Sequence, residues 1–387
     1  DAWVALSQSG VEAGYGATWA LLARTPPRKA LVAYTEPNTP ATDNQLARGA
    51  EVLEVDGADL VNGSGQATVD KLNAGLFPSN AGESHTFKIL DGGSSTPRDV
   101  TMTSVNVTST PVQNVHAIDT ADGKKVGYML FNDHIATSEK ALVDGINTLK
   151  DLGVTDLVLD LRYNGGGYLA IASQLAYMIA GPVNTSGKTF ERLAFNDKHP
   201  DSDPITGRPL APTPFYNQTL DFSLPAGAAL PTLGLNRVFA LTGPGTCSAS
   251  ESILNGLAGV NVQVIQIGST TCGKPYGFYP QDNCGTTYFS IQFKGVNAQG
   301  FGDYTDGFAP GAASAGSLAG CLVEDDFGHA LGDAAEARFA TALAYRASLP
   351  TPTCSALTAR NALTYSALRG DGEVIKSVWR QNRIVQR

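Results

Sequence analysis

Long apolar runs are missing from this 387-residue chain. None approaches the roughly 20 consecutive apolar residues that a bilayer span needs, so no transmembrane helix is expected. Basic clusters are missing too. A formal net charge of −9, with 27 Lys and Arg against 36 Asp and Glu, argues against nucleic acid or an anionic membrane surface as the main partner. Cysteine is sparse: Cys247, Cys272, Cys284, Cys321 and Cys354 show no CxxC spacing, which removes the usual pattern of a zinc site. The opening residues DAWVALSQSG lack the charged and apolar regions of a signal peptide, so the chain is expected to begin after processing or truncation.

What is present is ordinary globular composition with many turns, 42 Gly and 21 Pro, at a length that suits two domains or one large one. Cys272 and Cys284 flank GKPYGFYPQDN, which can close as a hairpin, and Cys321 and Cys354 flank a helical pattern. Those two pairs are the expected disulfides, with Cys247 left as a small buried residue. Disulfides would place the protein in an oxidising compartment, periplasmic or secreted.

Two segments carry chemistry. Ser248 lies in TGPGTCSASESILNGLAG, where an apolar strand (Val238 to Leu241) breaks at Gly243, Pro244 and Gly245 before a helical pattern. Lys274 lies in IGSTTCGKPYGF, and no acidic residue occurs between Gly268 and Pro280. A lysine in an uncharged, desolvated setting can lose its proton and serve as a base. A third segment, LVLDLRYNGGGYL, puts three glycines at a strand-to-helix junction, where backbone N–H groups can face a ligand. Such a turn suits an oxyanion hole, with one donor from Gly166 and the other from Ala249 after the serine. As a phosphate cradle it is weaker, because it lacks both GxGxxG and a GK[ST] ending.

Ser250 is a rival nucleophile. In a helix starting near Ser248 it points about 200° away, so it is expected to support the turn, with Glu251 capping N–H groups. His116, His134, His199 and His329 are available for a Ser-His arrangement, and His134, just past a core strand, is the best placed. Asp303 and Asp306 are expected to shape a turn.

The first hundred or so residues alternate apolar and polar positions in short runs (ALVAYTEP, AEVLEVDG, HTFKIL, RDVTMTS), with one helical stretch, GQATVDKLNAGL, whose Val69, Leu72 and Leu76 share a face. That pattern predicts half-buried strands. The order of these elements, with the Gly14-Tyr15-Gly16 loop and the stretch from Pro37 to Gly57, resembles a PDZ domain. The resemblance implies that this loop holds the carboxylate of a peptide that adds as a strand. Further on, strand VGYMLF, a helix with Ser138 as N-cap, Leu142, Ile146 and Leu149 on one face and Gly153 as its stop, and strand DLVLDL predict a β-α-β crossover.

LVLDLRYNGGGYL, LTGPGTCSASESILNGL and IGSTTCGKPYG, in that order behind the PDZ-like unit, resemble the C-terminal processing, or tail-specific, serine peptidases over roughly residues 13 to 345. The resemblance implies a crotonase-like α/β core, Ser248 as nucleophile, Lys274 as general base, no metal or organic cofactor, and polypeptide C-termini as partners. It divides the chain into an N-terminal remnant (1–12), a PDZ-like docking domain (13–107), a catalytic core (108–345) and a C-terminal extension (346–387). Some members carry an acidic residue eleven positions after the serine or a glutamine four after the lysine. Here those positions are Gly259 and Phe278, so no third catalytic group is assigned. Two other classes stay open: a peptide- or ligand-binding protein on the same scaffold, and a crotonase-type acyl-CoA enzyme.

Overall fold

The structure, a computed structural model, describes residues 8–279, 281–311, 317–351, 354, 371–376 and 383–385. They fall into two units, one drawn from residues 1–110, 324–341 and 355–379 and the other from 111–323, 342–354 and 380–387.

The first unit contains β1 (Val11–Gly14), β2 (Ala17–Ala23), β3 (Lys29–Thr35), α1 (Pro40–Asp43), β4 (Glu51–Val55), β5 (Ala58–Asp59), α2 (Gln66–Leu76), β6 (Ser84–Leu90), β7 (Arg98–Thr103) and β8 (Val105–Thr108). Strands β2, β3, β4, β6 and β7 run in that order as an antiparallel sheet. Alternation makes one face apolar: Phe87 and Ile89 of β6 and Val100 and Met102 of β7 are buried at every second position. Leu72 and Leu76, one helical turn apart on α2, are buried in the same cluster.

The second unit contains β9 (Val112–Asp119), β10 (Lys125–Phe131), α3 (Ser138–Asp151), β11 (Asp156–Asp160), β12 (Gly166–Tyr168), α4 (Leu169–Thr185), β13 (Thr189–Ala194), β14 (Thr213–Pro214), β15 (Arg237–Thr242), α5 (Ala249–Gly259), β16 (Gln263–Gly268), β17 (Tyr276–Gly277), β18 (Gln281–Asn283), β19 (Thr286–Tyr288), β20 (Phe293–Val296), β21 (Ala309–Pro310) and β22 (Ser317–Leu322). Its main sheet has the order β21-β22-β16-β15-β11-β10-β9 and is parallel except for β9. A second sheet runs β14-β13-β20-β17. β11 is buried along its whole length, the pattern of a strand covered on both faces. The crossover from β10 through α3 to β11 forms as its pattern predicts, with Leu142, Ile146 and Leu149 fully buried. Its helix starts one residue early: Thr137 is the N-cap, and the Ser138 hydroxyl donates instead to the Asp133 carbonyl at 2.7 Å.

The remaining elements are α6 (Ala337–Ala347), β23 (Glu373–Ile375) and β24 (Arg383–Val385). β23 joins the first unit's sheet at β2, and β24 pairs with β12.

Candidate active site

The site grows from the C-terminal ends of the parallel strands, where chain direction changes and backbone groups lose their ladder partners. Past β11 the chain is pinned by a buried ion pair. Arg162 and Asp160 are both fully buried with Nη2 2.9 Å from Oδ2, and the Tyr128 hydroxyl donates to the same carboxylate at 2.6 Å. Asn164 then fixes the glycine turn. Its Nδ2 donates to the Phe131 carbonyl at 2.9 Å, and its Oδ1 accepts the Gly166 N–H at 3.0 Å. Gly166 and Gly167 have φ of 91° and 144°. A Cβ on Gly167 would stand 2.3 Å from the His134 carbonyl oxygen, so this position admits only glycine.

The serine turn is stitched to the glycine turn. The Asn164 carbonyl accepts both the Cys247 N–H and the Ser250 hydroxyl at 3.0 Å, which gives Ser250 the supporting place expected for it. Ser248 precedes α5 with φ 55° and ψ −115°, a conformation that side-chain-bearing residues rarely adopt. Its hydroxyl is buried and has no hydrogen-bond partner among the described residues. Ala249 opens α5, so its N–H is one of the first-turn donors that find no acceptor inside a helix.

Glu251 joins this turn to the lysine segment. Its carboxylate accepts the N–H of Ser248 at 2.9 Å, the N–H groups of Gly273 and Lys274 at 2.8 Å, and the Thr271 hydroxyl at 2.5 Å. Burial nevertheless pushes its pKa up, against the four donors that favour the anion. The Lys274 side chain is part-exposed, with Nζ 5.1 Å from the centroid of the Phe278 ring. Phe278 thus fills with a ring face the position where a glutamine occurs in some of the resembling peptidases.

The cysteine pairing differs in part from expectation. Cys321 pairs with Cys354, but Cys247 pairs with Cys272, and Cys284 is free and exposed. GKPYGFYPQDN does not pair with itself among the described residues: Tyr276 and Gly277 pair with β20, and the hairpin here is β18 with β19, with Cys284 in its turn. Cys272 lies outside that hairpin, where its N–H donates to the Thr246 carbonyl at 3.0 Å and brings it beside Cys247.

Of the histidines, His134 belongs to the glycine turn: Nδ1 lies 2.9 Å from Asn164 Oδ1, and its backbone bridges Gly167. His116 Nδ1 faces the Asn114 carbonyl, His199 sits in a turn closed on Asn196, and His329 contacts Asp326 within the first unit. Asp303 and Asp306 are exposed, Asp306 in a turn. In the first unit, Tyr15 is a core anchor, its hydroxyl donating to the Gly75 carbonyl at 3.0 Å. Gly14 ends β1, and Gly16, with φ 81°, leaves room for no Cβ beside Thr39. No group of acidic, histidine or cysteine residues among those described could hold a metal ion.

Residues 125–278 match Peptidase family S41. A carboxyl-terminal-processing protease of Synechocystis sp. is 25% identical over 237 residues, which cover 61% of this chain and 47% of that protein. One from Picosynechococcus sp. is 25% identical over 180 residues, covering 45% and 40%. The matches thus span less than half the length of these relatives. Among solved structures, a Bacteroides fragilis protein described as a candidate S41 protease aligns with a TM-score of 0.67 at 22% identity, over 88% of this chain and 84% of that one. At that identity the likeness concerns the fold.

Proposed function

We propose that this chain, which carries the Peptidase family S41 segment at residues 125–278, is a serine-type peptidase that cleaves polypeptides near their C-termini through Ser248 and Lys274. One observation carries the reading: a single buried carboxylate, Glu251, holds the backbone of Ser248 and of Lys274 together. The core is read as crotonase-like and the first unit as a PDZ-like docking domain, its loop Gly14-Tyr15-Gly16 leading into β2. The paired cysteines fit a periplasmic or secreted setting.

In the reaction, neutral Lys274 takes the Ser248 proton as the hydroxyl attacks the scissile carbonyl. The ammonium then protonates the leaving amine, and water hydrolyses the acyl-enzyme. The tetrahedral oxyanion is held by the Ala249 N–H and, once it leaves Asn164 Oδ1, by the Gly166 N–H, each donor contributing on the order of 3 kcal/mol. No metal or organic cofactor is needed for these steps.

Fluorophosphonate labelling followed by peptide mapping tests the nucleophile. The label should fall on Ser248, and Ser248→Ala should lose turnover of an unfolded protein substrate while keeping its circular dichroism. Label on another residue, or cleavage by the alanine variant, removes Ser248 from the role. Because His134 is tied to the glycine turn through Asn164, it is the second reading for the base: Lys274→Ala should abolish turnover and His134→Gln should only reduce it, and the reverse ranking would transfer the role.

A further inference from the structure

Residues 373–375 and 383–385 pair with two strands that the proposed reaction leaves for substrate. In the first unit, β23 adds antiparallel to the edge of β2 with Trp19 opposite Ile375, Ala20 opposite Val374 and Leu21 opposite Glu373. β2 starts directly after Gly14-Tyr15-Gly16, and the register makes β23 run toward that loop. The approach is close: a Cβ on Gly372 would stand 2.4 Å from Leu22 Cδ2 and 2.9 Å from the Leu21 carbonyl. Asp371 is held by an ion pair to Arg338, and Lys376 Nζ lies 5.8 Å from the Tyr34 ring centroid. In the second unit, β24 is parallel to β12, with Gly166 opposite Arg383, Gly167 opposite Ile384 and Tyr168 opposite Val385. Among the described residues β12 has no other strand partner, Gly167 making only a single bridge to His134 on its other side. β24 also runs beside α5, which Ser248 caps, and beside β17, two residues past Lys274.

We propose that β23 and β24 are intramolecular competitors of substrate, β23 occupying by strand addition the docking edge β2 and β24 the glycine-turn edge β12. The proposal rests on the peptidase reading for what the two edges are for; their occupancy stands on the pairing. Strand addition is carried by main-chain hydrogen bonds, so it fits any extended polypeptide, the chain's own or another's. A tethered strand competes at an effective concentration in the millimolar range. If its intrinsic dissociation constant is about 0.1 mM, a free peptide binds about tenfold more weakly than to an open edge.

The test uses the full chain. Successive strand residues point their N–H groups to opposite sides, so two adjacent prolines remove a ladder donor whichever way the strand faces. A variant carrying Val374→Pro, Ile375→Pro, Ile384→Pro and Val385→Pro should cleave fluorescein-labelled casein about tenfold faster than the parent chain. The free peptide DGEVIKSVWRQNRIVQR, added at several hundred micromolar, should return that rate toward the parent's. With Ser248→Ala added to both proteins, the labelled peptide should bind the proline variant about tenfold more tightly by fluorescence anisotropy. Equal binding and equal turnover by two proteins with the same circular dichroism would overturn the proposal. If the proline variant misfolds, the parent chain decides: a dissociation constant of about 1 mM for the labelled peptide fits filled edges, and one of about 0.1 mM or tighter shows them open. Absence of fluorophosphonate labelling and of cleavage in both proteins would instead sink the peptidase reading, and the anisotropy comparison would still decide occupancy.

Discussion

At the scale of single residues, Glu251 decides the geometry. A carboxylate out of contact with water is costly unless hydrogen-bonded, and here the donors are the N–H groups of Ser248, Gly273 and Lys274 and the Thr271 hydroxyl. Those bonds fix the turn in which Ser248 holds its φ of 55°, a conformation that costs on the order of 1–3 kcal/mol and persists only where surroundings enforce it. Glu251→Gln keeps the size but replaces one acceptor oxygen with an amide NH2 that repels an N–H donor. It should lower kcat by about 100-fold with KM little changed, and stability by about 1–3 kcal/mol. Rate measurements on a peptide substrate with a parallel urea titration check this, and a variant with full kcat would mean that the serine and lysine segments hold their aim unaided. The glutamate's capping of Ser248 was legible, because three-residue spacing after a helix-start serine is a local pattern. Its bonds to Thr271, Gly273 and Lys274 were not, since they depend on a segment 20 to 23 positions away.

At the scale of elements, what could be read was what repeats. The β-α-β crossover, the helix after the glycines and the strands of the first unit follow from periods of 3.6 and 2 in apolar residues. The cysteine pairing does not repeat. Cys272 was expected opposite Cys284 across a hairpin, but the hairpin closes at residues 281–288, and the bond between Cys272 N–H and the Thr246 carbonyl selects Cys247. Nor does sequence show that Asn164 Oδ1 takes up the Gly166 N–H. The glycine turn itself was legible, and its tolerance is now specific. Gly167→Ala would drive a Cβ to 2.3 Å from the His134 carbonyl, at a backbone φ that also disfavours side chains. It should cost about 3 kcal/mol or more, whereas Gly153→Ala, which meets nothing within 4 Å, should cost about 1 kcal/mol through its positive φ alone. Denaturant midpoints of the two variants measure the difference, and equal losses would show that the β12 turn relaxes around an added methyl.

At the scale of the whole molecule, acid and base act on different carboxylates. Bonds to Arg237 and Arg346 hold Asp156 below the usual range despite its burial, and contributions of that sign are lost only in acid. Glu191 on β13 behaves oppositely. It is fully buried, a Cβ on Gly295 would meet its carboxyl group at 2.2 Å, and Ser252 and Tyr304 are its polar neighbours. No cation among the described residues offsets its desolvation, which pushes its pKa from 4.5 to about 7. The folded chain therefore binds this proton where the unfolded chain has released it, and stability falls as pH rises from about 4.5 to 7, then levels off. At about 1.4 kcal/mol per pH unit the loss is roughly 3 kcal/mol. Urea titrations at pH 5 and pH 8 should show the unaltered chain weaker at pH 8. Glu191→Gln, neutral at both, should remove most of that difference. A pH 5 to 8 difference that survives in the glutamine variant would assign it to other groups and leave Glu191 ionised inside the fold.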